Sequence, residues 1–105
     1  MNNFIVIFCT VKEKKEAEKI AKDIVKNKLA ACVNIIEGLT SIYEWEGSIC
    51  NESECLMIIK TRQILFNELK DSILSQHSYD IPEIISLPVN DGLDSYLNWI
   101  QQNTK

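Results

Sequence analysis

The side chains in this sequence with the greatest capacity for chemistry are four cysteines and one histidine. The cysteines are Cys9, Cys32, Cys50 and Cys55. The histidine, His77, lies in a polar stretch with Tyr79 and Asp80 close by. Imidazole and thiolate together are ligands that suit copper or zinc. Cys9 follows an apolar segment, and folding could bring it to His77. This pair is therefore a candidate metal site.

Other uses of these cysteines have less support. None forms a C-x-x-C pair, so neither a zinc ribbon nor a thioredoxin-type redox site is predicted. Nucleophilic catalysis by a cysteine paired with His77 would need an activated thiol, but no nucleophile-elbow motif surrounds Cys9 or Cys32. The sequence also has no P-loop and no G-x-G-x-x-G. We therefore predict a protein that is not an enzyme.

The composition sets further limits. The chain has 105 residues, 46% of them hydrophobic, and a net charge of −4, which fits one globular domain over residues 1–105. Residues 1–28 carry net +3 and residues 29–105 carry net −7, so nucleic acid is not an expected partner. No apolar run is long enough to cross a membrane, and Met1–Thr10 lacks the features of a signal peptide. We predict a cytosolic protein.

Hydrophobic patterning predicts four strands and three helices. A capping box at Thr10 and Glu13 would start the first helix. The second helix is predicted over residues 63–75, and Asp91 would cap the third. Gly38 predicts a bulge, and Glu46-Gly47 a tight turn. The predicted strands are Phe4–Cys9, Ala30–Ile36 with Leu39–Trp45, Ile49–Thr61 and Glu83–Val89.

This order of elements predicts an α+β domain: a ferredoxin-like βαββαβ fold with an antiparallel sheet and an extra C-terminal helix. Its two main helices would cover one face of the sheet. Three of the strands are nevertheless apolar on both faces, whereas a solvated face should alternate with polar residues. We therefore expect a neighbouring subunit to cover the second face.

Several residues could serve such a contact between subunits. Tyr43 and Trp45 share one side of their strand by alternation, and aromatic residues are enriched at interfaces. Lys60 and Arg62 share one side of the third strand and could hold an anion. The glutamates near Trp45 are interpreted as keeping the hairpin soluble. The candidates for an inter-subunit cleft or interface are Tyr43, Trp45, Glu46, Lys60, Arg62 and Tyr79.

Several segments resemble the signature of the CutA divalent-cation tolerance family. They cover essentially the whole chain. The segment His77-Ser-Tyr-Asp-Ile-Pro-Glu-Ile84 is similar to the family's H-P-Y-E-V-P-E-I motif. The others are Leu29–Ile36, Thr40–Tyr43, Trp45–Gly47, Lys60–Arg62 and Tyr96–Trp99.

The resemblance implies a homotrimer of ferredoxin-like subunits, similar in architecture to PII signalling proteins. It also implies tolerance of divalent metals, copper above all, with Cys9 and His77 at the implicated positions. Gln76 stands where some members have a second histidine, and Ser78 replaces the usual proline.

Our leading interpretation is a cytosolic homotrimer that binds or responds to divalent metal ions such as Cu²⁺. Its ligands would be Cys9 and His77, with Cys32 and Asp80 as secondary candidates. One alternative is a PII-like module that holds a small anion in the inter-subunit cleft through Lys60 and Arg62. Two others are an acylphosphatase-like enzyme and a structural scaffold with incidental metal affinity. The enzyme has little support, because it would need a positioned pair of asparagine and arginine and the chain has a single arginine.

Overall fold

A computed structural model describes residues 3–105, so the first two residues of the segment considered as a leader lie outside it. The sheet has the order β2-β3-β1-β4 and is antiparallel throughout. This confirms the predicted α+β, ferredoxin-like arrangement with an additional C-terminal helix. The elements are β1 (Phe4–Val11), α1 (Lys14–Lys26), β2 (Cys32–Trp45), β3 (Ser48–Arg62), α2 (Phe66–Leu74), β4 (Ile84–Pro88) and α3 (Asp94–Gln102).

The core lies between one face of the sheet and the helices α1 and α2. Alternate residues of β1 point to this face, and the register sets Ile7 opposite Ile59 and Cys9 opposite Met57. Apolar residues at helical spacing on α1 and α2 cover them. The fully buried core residues include Ile7, Cys9, Val11, Ile20, Ile24, Met57, Ile59, Leu69 and Ile73.

The strands differ greatly in length, and this difference shapes the molecule. β1 ends opposite Cys55, so the first seven residues of β3 pair only with β2. Residues 39–54 therefore form a two-stranded arm that projects past the body of the sheet, and the longest dimension of the chain is 45 Å. At the tip of the arm, Glu46 (φ 51°) and Gly47 (φ 83°) make the predicted tight turn.

The predicted bulge is also present. The pairing of β2 with β3 shifts register between Ile36 and Leu39, and Gly38 has φ +75°. Antiparallel pairing continues on both sides of the shift, so β2 is one strand rather than two. The bulge lies at the base of the arm, and a bulge bends the strand that carries it.

The second face of the sheet is only partly covered. Helix α3 packs against the end of β3, where Arg62 Nε donates to the Thr104 hydroxyl at 2.8 Å and its Nη2 donates to the Lys105 carbonyl. Elsewhere on this face apolar side chains reach solvent: Ile85 is 52% exposed and Leu87 is 42% exposed. The chain itself therefore leaves apolar surface on the face that we expected a neighbour to cover.

Two predicted helix caps were wrong. Thr10 lies inside β1, and Glu13 is the N-cap of α1 with no side-chain capping bond. The strand runs two residues past the predicted end because Thr10 and Val11 still pair with β3. Asp91 lies three residues before α3, whose N-cap is Leu93.

The end of α1 provides a test of the fold. Lys28 has φ 61°, and the Leu29 N–H donates to the Ile24 carbonyl, which is the bonding of a Schellman motif. A side chain at this left-handed position is strained, whereas glycine is not. We expect Lys28→Gly to raise the free energy of unfolding by about 0.5–1 kcal/mol in denaturant titrations.

The matched control is Lys22→Gly, which places glycine at an exposed position inside α1. It should lower the same free energy by about 1 kcal/mol. Equal destabilisation by both substitutions would contradict the conformational explanation.

Candidate functional site

The loop between α2 and β4, residues 75–83, brings His77 to β1. Its start is fixed because the Gln76 and His77 backbone N–H groups both donate to the Ile73 carbonyl. The His77 Nε2 atom then lies 2.8 Å from the Thr10 carbonyl oxygen. The imidazole thus contacts the residue that follows Cys9, so the fold brings the two predicted metal ligands to one corner of the sheet.

Both nitrogens of this imidazole have partners. The Tyr79 backbone N–H donates to Nδ1 at 3.1 Å, so Nδ1 is the acceptor and Nε2 carries the proton that Thr10 accepts. The side chain of His77 is fully buried, and its ring packs on Tyr79 with centroids 4.9 Å apart. A metal ion can bind His77 only after one of these hydrogen bonds breaks.

Cys9 is buried in the core on the helical side of the sheet. Burial, with smaller contributions from Glu83, Glu16 and Glu54, raises the pKa of its thiol to about 12. The thiol is therefore protonated at neutral pH. Because the thiolate is the metal-binding form, a metal ion at Cys9 must displace this proton.

Two carboxylates hold the loop in place. Glu16, in the first turn of α1, accepts from the Ser78 backbone N–H at 2.9 Å and from its hydroxyl at 3.0 Å. Glu54 of β3 is buried and accepts from the Tyr79 hydroxyl at 2.6 Å. Burial and this hydrogen bond to Glu54 raise the pKa of Tyr79. The loop is thus tied to a helix and to the base of the arm.

A cleft of about 940 Å³ opens between this loop and the arm. Five carboxylates line it, against a single lysine, Lys12, among the described residues. Burial, followed by the charge of Glu54, raises the pKa of Glu83. The cleft therefore carries a negative potential. Its acidic side chains are Glu13, Glu52, Glu54, Asp80 and Glu83, and its aromatic side chains are Tyr43, Trp45 and Tyr79.

Sequence reasoning missed this acidic lining. The glutamates of β3 were interpreted as solubilising the hairpin, because no local motif connects them with Asp80 and Glu83. One signal was available: Glu52 and Glu54 alternate on β3 in the same way as Tyr43 and Trp45 alternate on β2. Only the pairing of the two strands shows that all four share one face.

Of the two secondary ligand candidates, Asp80 lies in the cleft and Cys32 lies further along the sheet. Asp80 lines the cleft and is exposed. Cys32 pairs with Lys60, four residues beyond the Leu56 position that faces Thr10, and it lies beside Tyr96, whose pKa is raised by burial and by Cys32. Across residues 3–105, no three His, Cys, Asp or Glu side chains converge in a way that could hold a metal ion.

The predicted pair of cations does not line the cleft. Lys60 Nζ donates to Asn34, and Arg62 binds Thr104 and Lys105 near the C-terminus. Glu46 lies in the turn at the tip of the arm. The three aromatic candidates do meet at the cleft, but the anion-binding candidates do not join them.

Comparison with known proteins identifies the family. The CutA1 divalent ion tolerance protein family matches residues 5–103. The chain belongs to this family. The CutA1 assignment agrees with solved structures: a CutA1 from Oryza sativa superposes with a TM-score of 0.96 at 42% identity, covering 98% of this chain and 94% of that one.

Two other CutA relatives show how the chain compares in length. The periplasmic divalent cation tolerance protein CutA from Archaeoglobus fulgidus is 42% identical, with a TM-score of 0.93 and 100% of both chains covered. The chloroplastic protein CutA of Arabidopsis thaliana is 48% identical over 96% of this chain, which spans 56% of that protein. The chain therefore spans little more than half the length of some curated relatives. None of the helices formed within residues 3–105 is long and apolar enough to cross a membrane.

The hydrogen bond between Tyr79 and Glu54 should stabilise the corner. Removing the hydroxyl leaves a buried carboxylate oxygen without its donor, which costs more than an exposed hydrogen bond. We expect Tyr79→Phe to lower the free energy of unfolding by about 1.5–3 kcal/mol in urea titrations. Tyr43→Phe, which removes a hydroxyl from the opposite wall of the cleft, is the matched control and should change it by less than about 0.5 kcal/mol.

Proposed function

We propose that the chain is a single CutA-like domain that assembles as a homotrimer and binds divalent metal ions as part of cation tolerance. The observation that supports this most is the acidic cleft, whose wall carries Thr10 and Tyr79, the neighbours of Cys9 and His77. A cleft lined by one sign of charge raises the local concentration of counter-ions. The cleft would thus concentrate cations next to the corner that holds the two predicted ligands, which themselves lie behind its lining.

The ligands Cys9 and His77 favour copper or zinc over hard cations. Binding there requires three local events. The Cys9 thiol loses its proton, the imidazole gives up one hydrogen-bond partner, and the loop moves enough to admit the ion. Because each event costs free energy, this site fits a protein that takes up metal in excess rather than one that holds a resident ion.

The homotrimer is supported by the apolar surface that the chain leaves uncovered. On the arm, Ile42 is 69% exposed and Ile49 is 73% exposed, and Trp45 near its tip is 45% exposed. Ile42 and Ile49 lie on one face of the arm and Trp45 on the other, so apolar side chains are exposed on both faces of the arm as well as on the second face of the sheet. Exposed apolar surface of this extent marks a protein–protein interface. Relatives carry the names of tolerance proteins, and we expect no catalytic activity. The cytosolic location is also part of the proposal.

Assembly can be measured directly. Light scattering at micromolar concentration should give three times the 12.1 kDa mass of one chain. Trp45→Ser should reduce this mass on dilution, because the arm loses an aromatic contact with its neighbour. Ile64→Ser, at a side chain that is 79% exposed on the body, is the control. A mass of one chain for the unsubstituted protein would refute the trimer.

Metal binding can be assigned through its pH dependence. We expect calorimetric titration of the reduced protein with Zn²⁺ to show an affinity that rises about tenfold per pH unit between about pH 6.5 and 7.5, because the Cys9 thiol releases a proton. Cys9→Ser should remove most of this slope and weaken binding tenfold or more, and His77→Ala should weaken it similarly. Titration with Cu²⁺ then compares the two metals.

Two control variants define the contrary outcomes. Cys50→Ser removes a thiol on the arm and should leave the Zn²⁺ affinity unchanged. Asp71→Asn removes one negative charge from α2, away from the cleft, and should also leave it unchanged. A Zn²⁺ affinity that is unchanged in both Cys9→Ser and His77→Ala would overturn this ligand assignment. The absence of any stoichiometric site would overturn metal binding itself.

A further inference from the structure

The outer side of α1 carries a row of lysines that neither the fold nor the metal site uses. Because an α-helix has 3.6 residues per turn, their positions fall within an arc of about 60° on the side opposite the buried residues of α1. All four side chains are exposed. This lysine stripe consists of Lys15, Lys19, Lys22 and Lys26.

The lysine stripe has no acidic partner within the described chain. Across residues 3–105, the lysines that form ion pairs are Lys14 and Lys105. The acids Glu16 and Asp23 of α1 accept hydrogen bonds from α2 and from the loop that follows it. Like charges four residues apart destabilise a helix, and Lys15 in the first turn opposes the helix dipole. The stripe therefore costs stability without making a compensating contact.

The positive surface is a strip only one helix wide. On one side lies Glu18, which is half-buried and forms no ion pair with Lys22. On the other side α2 packs beside α1 and exposes the acids Glu68 and Asp71. A flat anionic membrane laid across both helices would meet these carboxylates. A linear anion along α1 would instead follow the lysines over about 16 Å.

A shallow apolar groove lies beside the C-terminal half of the lysine stripe. It has a volume of about 340 Å³ and is lined by Ala21, Lys22, Val25, Lys26 and Val33. Val33 packs against the core beneath the helices, so the groove opens on the helical side of the sheet and not on the second face. Lysine stems can cover an apolar side chain placed there while their charged ends stay in water.

From the stripe and the groove together we propose that α1 binds an acidic segment of a partner protein. Carboxylates of the segment would pair with the lysine stripe, and one apolar side chain beside them would enter the groove. A nucleic acid strand suits the surface less well, because α1 has no aromatic residue on which a base could stack. Residues 29–105, with net −7, would also repel a long polyanion.

The probe is a synthetic helical peptide with glutamates at the spacing of the lysine stripe and one leucine beside them. Its affinity for the assembled protein is measured by fluorescence anisotropy at low ionic strength, where exposed charges are least screened. Replacing the leucine by serine should weaken binding about threefold, because the groove loses its apolar contact. A peptide of the same composition in scrambled order should bind at least about threefold more weakly. No binding of the probe, or equal binding of the ordered and scrambled peptides, would overturn the proposal.

Matched double variants separate the lysine stripe from net charge. Lys19→Gln with Lys22→Gln should weaken the probe about fivefold, because two exposed ion pairs are lost. Lys12→Gln with Lys70→Gln removes the same charge outside the stripe and should change the affinity by less than about twofold. Equal weakening by the two pairs would show a general charge effect and refute the site.

The groove has its own variant. Val25→Thr keeps the shape of the side chain and adds a hydroxyl, so it should weaken the leucine peptide and leave the serine peptide unchanged. Equal effects on both peptides would refute the apolar anchor.

Other occupants are outcomes of the same experiment. A DNA oligonucleotide or a phosphatidylserine vesicle that bound as tightly as the probe, and lost binding in the Lys19 and Lys22 double variant, would overturn the peptide assignment. A neighbouring subunit that covered α1 would abolish probe binding in the assembled protein, and that result too would refute the proposal. The lysine stripe shares no residue with the cleft, so failure here leaves the metal-binding proposal standing.

Discussion

The structure depends on a mismatch of strand lengths. β3 pairs with β2 to the tip of the hairpin but with β1 only from Cys55 onward. From Cys55 onward β3 lies within a layer that has helices on one face, whereas its residues before Cys55 form only a two-stranded ribbon with β2. Isolated two-stranded ribbons are marginal in water, so the arm needs further contacts. The cleft exists because the loop after α2 reaches back to the base of this ribbon.

The corner that joins the loop to the sheet is built from polar contacts in a buried setting. The imidazole of His77, the hydroxyl of Tyr79 and the carboxylate of Glu54 each find a partner there. Buried polar groups that are fully satisfied fix one arrangement, since any alternative leaves a donor or an acceptor unpaired. The same contacts oppose metal binding, because both imidazole nitrogens of His77 already have hydrogen-bond partners. The hydrogen bonds that hold the loop rigid therefore also block the access of a metal ion to His77.

The fold could be predicted because its signals are local. Hydrophobic periodicity places α1, unbroken apolar runs place β1 and β3, and glycine marks both the bulge at Gly38 and the turn at Gly47. The caps at Thr10 and Asp91 were wrong because a capping motif competes with strand pairing and with the path of the loop, and neither is visible locally. The cleft required knowledge of strand register, which brings Glu52 and Tyr43 onto one face across an interval of nine residues.

The long second strand, β2, leaves the single chain open to pairing with other extended chains. β2 is an edge strand of fourteen residues, and its outer row of backbone groups has no neighbour within the sheet. An edge of this length is a template for pairing with any extended chain. The free energy available from covering it depends on the concentration of the covering partner, by mass action. The newly made, dilute chain is thus the form of the protein most exposed to wrong pairing.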